Sequence, residues 1–272
     1  MLDFPEIRQQ EMPPLLIMTQ HRLGGVGKSL VAHLLAEASH RSLLSLWLYD
    51  NDGQQFLKPY GQLTRLLLAA TEIVVNDPLA DIRAHEALDQ RLHMALPNDI
   101  LLYDGAASSI NRHTYAVDQL DFGPRLEAIG RYAMIAIPVT TRPDIARDAL
   151  VAFEIWRDLL PSPHIIVPFI SNRDGDVRNV SPGHDLRKLV KMANDGVVVI
   201  PPTPMAIINE IRLSGLTLGD MADPRKILEI AKIAESIGQN PTIFQLMRRA
   251  SAKLITETDG AMRRLGFTLG LS

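Results

Sequence analysis

The chain has 272 residues, of which 46% are hydrophobic and 22% charged, a composition that supports one large core and excludes a disordered chain. Its formal net charge of -3 excludes a general attraction to nucleic acids or anionic lipids, so any such binding requires a local patch. The absence of cysteine excludes disulfides, thiolate metal sites and iron-sulfur clusters.

The N-terminal residues do not have the pattern of a targeting sequence. Asp3, Glu6 and Glu11 stand where a secretory signal would place basic and then apolar residues. No apolar run in the sequence approaches the ~20 residues needed to span a bilayer. We therefore expect a cytoplasmic protein in which residues 1–13 are a lead to the folded domain.

Short apolar runs recur along the chain, and a segment with helical spacing follows each of them. This alternation predicts an α/β fold with a doubly wound, mostly parallel sheet flanked by helices. We expect one domain over residues 14–222, because no Pro/Gly-rich stretch is long enough to be a linker. The predicted strands are Leu15–Thr19, Leu43–Tyr49, Ile100–Tyr103, Ala133–Val139, Ile165–Ile170 and Val197–Ile200.

A glycine-rich segment separates the first strand from the first helix. Its glycines would let backbone N–H groups close around phosphate oxygens. Lys28 would supply positive charge, and Ser29 a ligand for Mg²⁺. A plain glycine turn is the alternative. The predicted phosphate site consists of Gly24, Gly25, Val26, Gly27, Lys28, Ser29 and Leu30.

Acidic residues follow two of the predicted strands. Asp50 and Asp52 come after the second strand, and Asp104 comes after the run Ile100–Tyr103. Ligands of open α/β sheets lie outside the carboxyl ends of the strands, where Mg²⁺ would find carboxylates beside phosphate oxygens. We assign Asp52 to the attacking water and Asp50 to supporting its loop. Asp52, Asp104 and Ser29 form the expected magnesium shell, and ordinary capping aspartates are the alternative.

Three motifs in this order resemble those of the MinD/ParA family of deviant Walker P-loop ATPases, over roughly residues 14–220. They are Gly-Gly-Val-Gly-Lys-Ser at 24–29, Asp-x-Asp-Gly-Gln at 50–54 and Asp-Gly-Ala-Ala at 104–107. The resemblance implies ATP or ADP with Mg²⁺, ATP hydrolysis and a nucleotide-dependent homodimer. It also implies a positioning role in plasmid or DNA partition or conjugative transfer, with a protein partner. Segments 104–109 and 138–144 further resemble the TraL-like ATPases of plasmid conjugation systems.

Two later segments extend the resemblance to a base pocket. Ile170-Ser171-Asn172-Arg173 looks like the adenine-reading loop of the family, which implies that Asn172 hydrogen-bonds adenine. Without the family, the same residues predict only a turn. The segment that begins with Pro201 and Pro202 and continues to Leu216 looks like the one that closes this pocket.

The sequence departs from the family pattern near the phosphates. Leu23 stands in place of the signature lysine, Arg22 offers a substitute cation one position earlier, and Ser108 replaces a glycine. A nucleotide-binding regulatory module with weak or lost hydrolysis is therefore an alternative. An ATP-dependent ligase of the same fold is a second alternative, on fold analogy alone.

From about Pro224 the apolar spacing is wholly helical, which predicts a helical extension over residues 223–272 packed on the same domain. Gly260 and Gly266 should interrupt its amphipathic surface. Its arginines keep contact with DNA or lipid open as an alternative to simple packing.

Overall fold

A parallel sheet forms the centre of the protein. The computed structural model describes residues 3–51, 55–77, 79–107, 109–236, 238 and 240–269. Within these ranges the strand order is β3-β2-β4-β1-β5-β6-β7, and each neighbouring pair is parallel. The predicted doubly wound sheet is confirmed. The strands are β1 Leu16–Thr19, β2 Ser45–Asp50, β3 Leu63–Arg65, β4 Asp99–Asp104, β5 Ala133–Val139, β6 Ile165–Ser171 and β7 Val198–Ile200.

Helices cover both faces of the sheet. Successive side chains of a strand point to opposite faces, so Leu16 and Met18 of β1 enter one core while Ile17 enters the other. Buried residues of α4 to α8 fill the first core, and those of α1, α9, α10 and α12 fill the second. The helices are α1 Lys28–Arg41, α2 Thr71–Asn76, α3 Ala80–Ala84, α4 Glu86–His93, α5 Ile110–Gln119, α6 Phe122–Ala128, α7 Pro143–Leu159, α8 Asp185–Met192, α9 Met205–Leu213, α10 Leu218–Ala222, α11 Ile227–Ser236 and α12 Pro241–Arg264.

The two strands at one edge of the sheet differ from the sequence-based prediction. β2 begins at Ser45 because Leu43 lies in the turn after α1, with φ 56° and 90% of its surface exposed. The prediction that Leu43 starts the strand is therefore wrong. β3 was not predicted, since Leu63–Arg65 is too short to show an alternating pattern.

Helix α1 is buried on almost all sides. The apolar spacing of Leu30, Val31, Leu34, Leu35 and Ala38 predicts a single buried face. The structure also buries His33, Ala36, Glu37 and Ser39, because α10 and α12 lie against the helix on the side away from the sheet. The first helix is therefore a central element of the fold.

The C-terminal region is helical, as predicted. Helix α12 packs into the second core through a stripe of apolar residues at helical spacing, namely Phe244, Met247, Leu254 and Met262. The predicted interruption at Gly260 is wrong, since the helix runs through this residue and tertiary packing outweighs its low propensity. Gly266, at φ 90°, lies just beyond the end of α12. In the part of the chain that the structure describes, no helix is long and apolar enough to cross a membrane.

Candidate functional site

The strand register places three polar side chains next to one another at the carboxyl end of the sheet. Thr19 of β1 pairs with Asp104 of β4, and Asp104 pairs on its other side with Asp50 of β2. The loop that leads to α1 leaves the sheet after Thr19. The structure thus brings the glycine-rich loop and two of the predicted carboxylates to the same end of three neighbouring strands.

The glycine-rich loop curls over the N-terminus of α1. Gly25 and Gly27 have φ values of 68° and 106°, a left-handed conformation that L side chains rarely adopt. Gly27 caps α1 without a side-chain hydrogen bond, and the first turn of the helix holds no acidic residue. The first N–H groups of a helix have no partner within the helix and attract anions. This loop has the geometry of a phosphate cradle.

The Lys28 side chain folds back into the loop. Only 6% of this residue is exposed, and its Nζ donates a hydrogen bond to the carbonyl of Leu23 at 3.2 Å. The ammonium group therefore lies inside the ring that the loop backbone forms. A phosphate oxygen entering the ring would meet this charge directly and would compete with the Leu23 carbonyl for it.

His21 anchors the loop to helix α7, a role that sequence reasoning missed. The backbone N–H of Leu23 donates to His21 Nδ1 at 2.9 Å, and His21 Nε2 lies 3.3 Å from the carbonyl of Ile145. Burial, with a smaller contribution from the charge of Lys28, lowers the pKa of His21 from 6.5 to about 4. A neutral imidazole with the proton on Nε2 satisfies both contacts. No local sequence pattern could have indicated this role, because Ile145 lies 124 positions away.

Leu23 and Arg22, at the start of the glycine-rich loop, both contact other parts of the fold. Leu23 is half-buried and packs against the first core. The Arg22 guanidinium lies 4.0 Å from the carboxylate of Asp148 on α7, with 45% of its side chain exposed. The two positions therefore hold an apolar anchor and a cation directed toward α7.

The carboxylates have distinct partners. Asp104 is 3% exposed and accepts a hydrogen bond from the Thr19 hydroxyl at 2.6 Å. Asp50 is 4% exposed and accepts from the backbone N–H of Gln55 at 3.2 Å, so it ties down the chain beyond its own strand. Asp52, Gly53, Gln54 and Ser108 lie outside the described residues.

The donor set fits Mg²⁺ as a partner of bound phosphate. Ser29 is half-buried in the first turn of α1, and Asp104 is a buried carboxylate at the adjacent strand end. No cluster of three or more His, Asp or Glu side chains among the described residues could hold a metal alone. Mg²⁺ uses one or two protein ligands together with waters and substrate phosphates, so a hydroxyl and a carboxylate suffice.

A cleft extends from the phosphate loop to the segments after β6 and β7. It is lined by Val26, Gly27 and Leu30 at one end and by Pro201 at the other, and its outer part reaches Gly25, Asn172 and Pro202. Asn172 Oδ1 accepts from the N–H of Val177 at 3.1 Å, which fixes the side chain within its own loop. Arg173 lines both parts of the cleft and was missed by the sequence analysis.

Two aromatic side chains anchor the chain that returns from the acidic loop after β2. Phe56 packs under the Arg212 guanidinium of α9, with 3.0 Å between the guanidinium carbon and the ring centroid. The Tyr60 hydroxyl donates to Glu37 of α1 at 3.2 Å and accepts from the N–H of Leu218 at 3.0 Å. Burial raises the pKa of both Tyr60 and Glu37. These contacts connect the acidic loop to α1, α9 and α10.

Solved proteins of similar shape include MinD and ParA ATPases, whereas no family model and no curated protein sequence matches the chain. The MinD cell division protein of Aquifex aeolicus is 14% identical, with a TM-score of 0.49 over 83% of this chain and 98% of that chain. MinD from Pyrococcus horikoshii OT3, solved with Mg-ADP, is 15% identical, with a TM-score of 0.47 over 90% and 95%. A ParA family ATPase from Chlorobium tepidum TLS is 14% identical, with a TM-score of 0.47 over 91% and 99%. At these values the likeness carries no conclusion about activity, and the strand order of the chain itself establishes the fold.

Proposed function

We propose that this protein binds ATP or ADP with Mg²⁺ at the carboxyl end of its sheet and hydrolyses ATP there. One observation carries the proposal. The N-terminus of α1, capped by Gly27, follows a glycine loop with Lys28 folded inside it, one strand away from the register-aligned Asp104. Positive charge, the backbone N–H groups of a helix N-terminus and a carboxylate for a cation are the three requirements of a metal-bound polyphosphate.

The residues divide the work by position. The backbone of Gly24, Gly25, Val26 and Gly27 surrounds the phosphates, and Lys28 balances their negative charge. Ser29 and Asp104 hold the cation, which when bound would neutralise charge that develops on the phosphoryl oxygens. Leu30, Asn172, Pro201 and Pro202 border the part of the cleft where the base would lie. Asp52, outside the described residues, is proposed to orient the attacking water, with Asp50 supporting its loop.

We further propose that nucleotide state controls self-association and a positioning role in the cytoplasm. The order and spacing of the motifs at 24–29, 50–54 and 104–107 support this, through their resemblance to the MinD/ParA family. The implied partners are a second copy of the chain and a protein of a plasmid partition or conjugative transfer complex. DNA contact would fall to exposed basic residues of α12 such as Arg249 and Lys253.

A nucleotide-binding module with weak hydrolysis is the second candidate. Leu23 packs on the core and Arg22 is directed at Asp148, so neither residue supplies a forward-reaching cation from the loop. Charge that develops on the phosphates would then be balanced by Lys28 and the metal alone. A loss of one stabilising cation slows phosphoryl transfer by orders of magnitude while leaving binding intact.

Calorimetry with Mg-ATP and Mg-ADP, phosphate release and mass in solution test the proposal together. Lys28→Ala should abolish or strongly weaken binding, and Asp52→Ala should retain binding but lose turnover. Lys188→Ala is the matched control, because this lysine is exposed on α8 and pairs with its neighbour Asp185. The proposal fails if the unmodified protein shows no heat with either nucleotide at millimolar concentration.

Leu23→Lys separates the two candidates. If the missing cation limits the reaction, this variant should raise both turnover and the ATP-dependent dimer fraction. If the unmodified protein hydrolyses ATP and Leu23→Lys does not change the rate, the protein is a working ATPase that needs no cation at position 23.

A further inference from the structure

Gln20 is a buried residue beside the proposed nucleotide site, and its side-chain amide has no protein partner. The residue is 0% exposed, and in the described part of the chain neither Oε1 nor Nε2 makes a hydrogen bond. Its backbone N–H donates to Ala136 at 3.0 Å, which holds it as a continuation of β1 against β5. A buried amide without partners destabilises the folded state, so its retention requires a reason.

The amide lies against the first residue of the loop that follows Asp104. A Cβ atom on Gly105 would stand 2.4 Å from Gln20 Nε2 and 3.0 Å from Cδ, closer than any side chain permits. The N–H of Gly105 donates to the carbonyl of Thr19 at 3.2 Å. Gln20 and Gly105 therefore meet directly beneath this loop.

The same loop reaches the phosphate cradle. A Cβ atom on Gly24 would lie 3.8 Å from the Cβ of Ala107, an ordinary van der Waals contact. Residues Gly105–Ala107 thus extend from the Gln20 amide to the mouth of the cradle. A group in front of Gly24 would therefore lie beside Ala107, at the end of the segment that leads back to Gln20.

An alternative pairing exists at the far end of this loop. The Ser109 hydroxyl lies 2.9 Å from the carbonyl of Ala106 and 2.7 Å from Nε2 of the buried His113. One hydroxyl proton satisfies one of these acceptors at a time. Ser109 can therefore release Ala106 without losing its own hydrogen bond, since His113 accepts in its place.

We propose that Gln20 is a positioning residue that pairs with the backbone of Gly105–Ala107 when ATP, but not ADP, fills the phosphate cradle. This inference rests on the proposed nucleotide site. The terminal phosphate of ATP is the group that would stand in front of Gly24, whereas ADP would leave Ala107 in place. The amide offers one donor nitrogen and one acceptor oxygen, which match the N–H and C=O of a rotated peptide. Gln20 would thereby favour the ATP-bound position of the loop over the ADP-bound one.

Gln20→Met and Gln20→Leu test the role, since both keep the approximate volume and remove hydrogen bonding. The melting temperature of the nucleotide-free variants should rise, because a buried unpaired amide is lost. The preference for a non-hydrolysable ATP analogue with Mg²⁺ over Mg-ADP should fall by about three- to tenfold, with ADP affinity unchanged. A packing role alone would lower the melting temperature and weaken both nucleotides together. Gln119→Met, at an exposed glutamine of α5, is the control.

A measurement on the unmodified protein keeps the test valid if a variant does not fold. The side-chain amide protons of Gln20, observed by NMR, should shift and exchange more slowly with the ATP analogue but not with Mg-ADP. An unchanged nucleotide preference in folded variants, or equal amide protection with both nucleotides, overturns the role of Gln20. Absence of any nucleotide binding to the unmodified protein overturns the proposed function itself.

Discussion

The hydroxyl of Thr19 donates a 2.6 Å hydrogen bond to the carboxylate of Asp104 across two neighbouring parallel strands. Both residues are buried, at 0% and 3% exposure. The bond orients the carboxylate at the strand end. The carboxylate of Asp104 is consequently held in a fixed position, which is the requirement for a ligand of a metal–phosphate complex.

Loss of this bond should affect stability and metal dependence together. Thr19→Val keeps the side-chain shape but removes the donor, so the free energy of unfolding should fall by about 1.5–3 kcal/mol. The Mg²⁺ concentration that supports half-maximal nucleotide binding should rise. Thr19→Ser is the control, because it retains the hydroxyl and should recover most of both quantities. A valine variant as stable as the original protein contradicts this account.

Gly105 should not tolerate a side chain. The Cβ of alanine would lie 2.4 Å from Gln20 Nε2 and 2.8 Å from the carbonyl of Thr19, and the backbone oxygen cannot move aside. We expect Gly105→Ala to lower the free energy of unfolding by roughly 1–3 kcal/mol, as overpacking does. Gly183→Ala is the matched control, since nothing lies within 4 Å of its Cβ position. Equal urea midpoints for the two variants would refute the close contact.

His21 should make the folded protein sensitive to mild acid. Its pKa is 6.5 in the unfolded chain and about 4 in the folded one, mainly through burial. Between these pH values the unfolded state binds the extra proton, so stability falls as pH falls, by at most about 1.4 kcal/mol per pH unit. His21→Asn should reduce the stability lost between pH 6.5 and 5 by about 1–2 kcal/mol. His93→Asn, at an exposed histidine of α4, is the control for the substitution itself in the same urea titrations.

Glu37 should act in the opposite direction. Burial raises the pKa of Glu37 in the folded protein above its value in the unfolded chain. The contribution of this carboxyl to stability is therefore lost as pH rises through the folded pKa. Glu37→Gln keeps an acceptor for Tyr60 and for the N–H of Gly219. The variant should therefore gain stability relative to the original protein at pH 8, and the gain should shrink toward pH 5. A deficit that grows with pH would show that the charged carboxylate is favourable.

Tyr60→Phe distinguishes the effect of the charge on Glu37 from the effect of the hydrogen bonds that Tyr60 makes to Glu37 and Leu218. The Tyr60 hydroxyl accepts a hydrogen bond from the N–H of Leu218 and donates one to the Glu37 carboxylate. Removal of the hydroxyl breaks both hydrogen bonds. We expect the free energy of unfolding to fall by about 1–3 kcal/mol at every pH between 5 and 8. A loss of stability seen only near pH 5 or only near pH 8 would show that these hydrogen bonds depend on the ionisation of Glu37.

The main architecture follows from the sequence because strands buried on both faces are continuous apolar runs. β5 and β6 show this directly, and each was predicted within one residue of its ends. Strand β3 does not show such a run, because it has few residues and its position at the sheet edge leaves them largely exposed. Leu43 was misplaced because apolar character does not reveal a left-handed backbone angle.

The residues of the candidate site likewise fall into those that a local pattern predicts and those that it does not. Lys28, Asp50 and Asp104 are predictable because glycine-rich turns and acidic strand ends are local patterns. His21, Gln20 and Tyr60 are not, because their roles depend on Ile145, Gly105 and Glu37, which are distant in the sequence. A residue whose partner is supplied by another element has no signature of its own in a single sequence.

The enclosure of α1 has a mechanical consequence. Its 14 residues span about 20 Å, from the cradle at Gly27 to Arg41, whose guanidinium holds both carboxylate oxygens of Asp259 on α12. A displacement of the α1 N-terminus as a rigid body would therefore also act on the ion pair between Arg41 and Asp259 of α12.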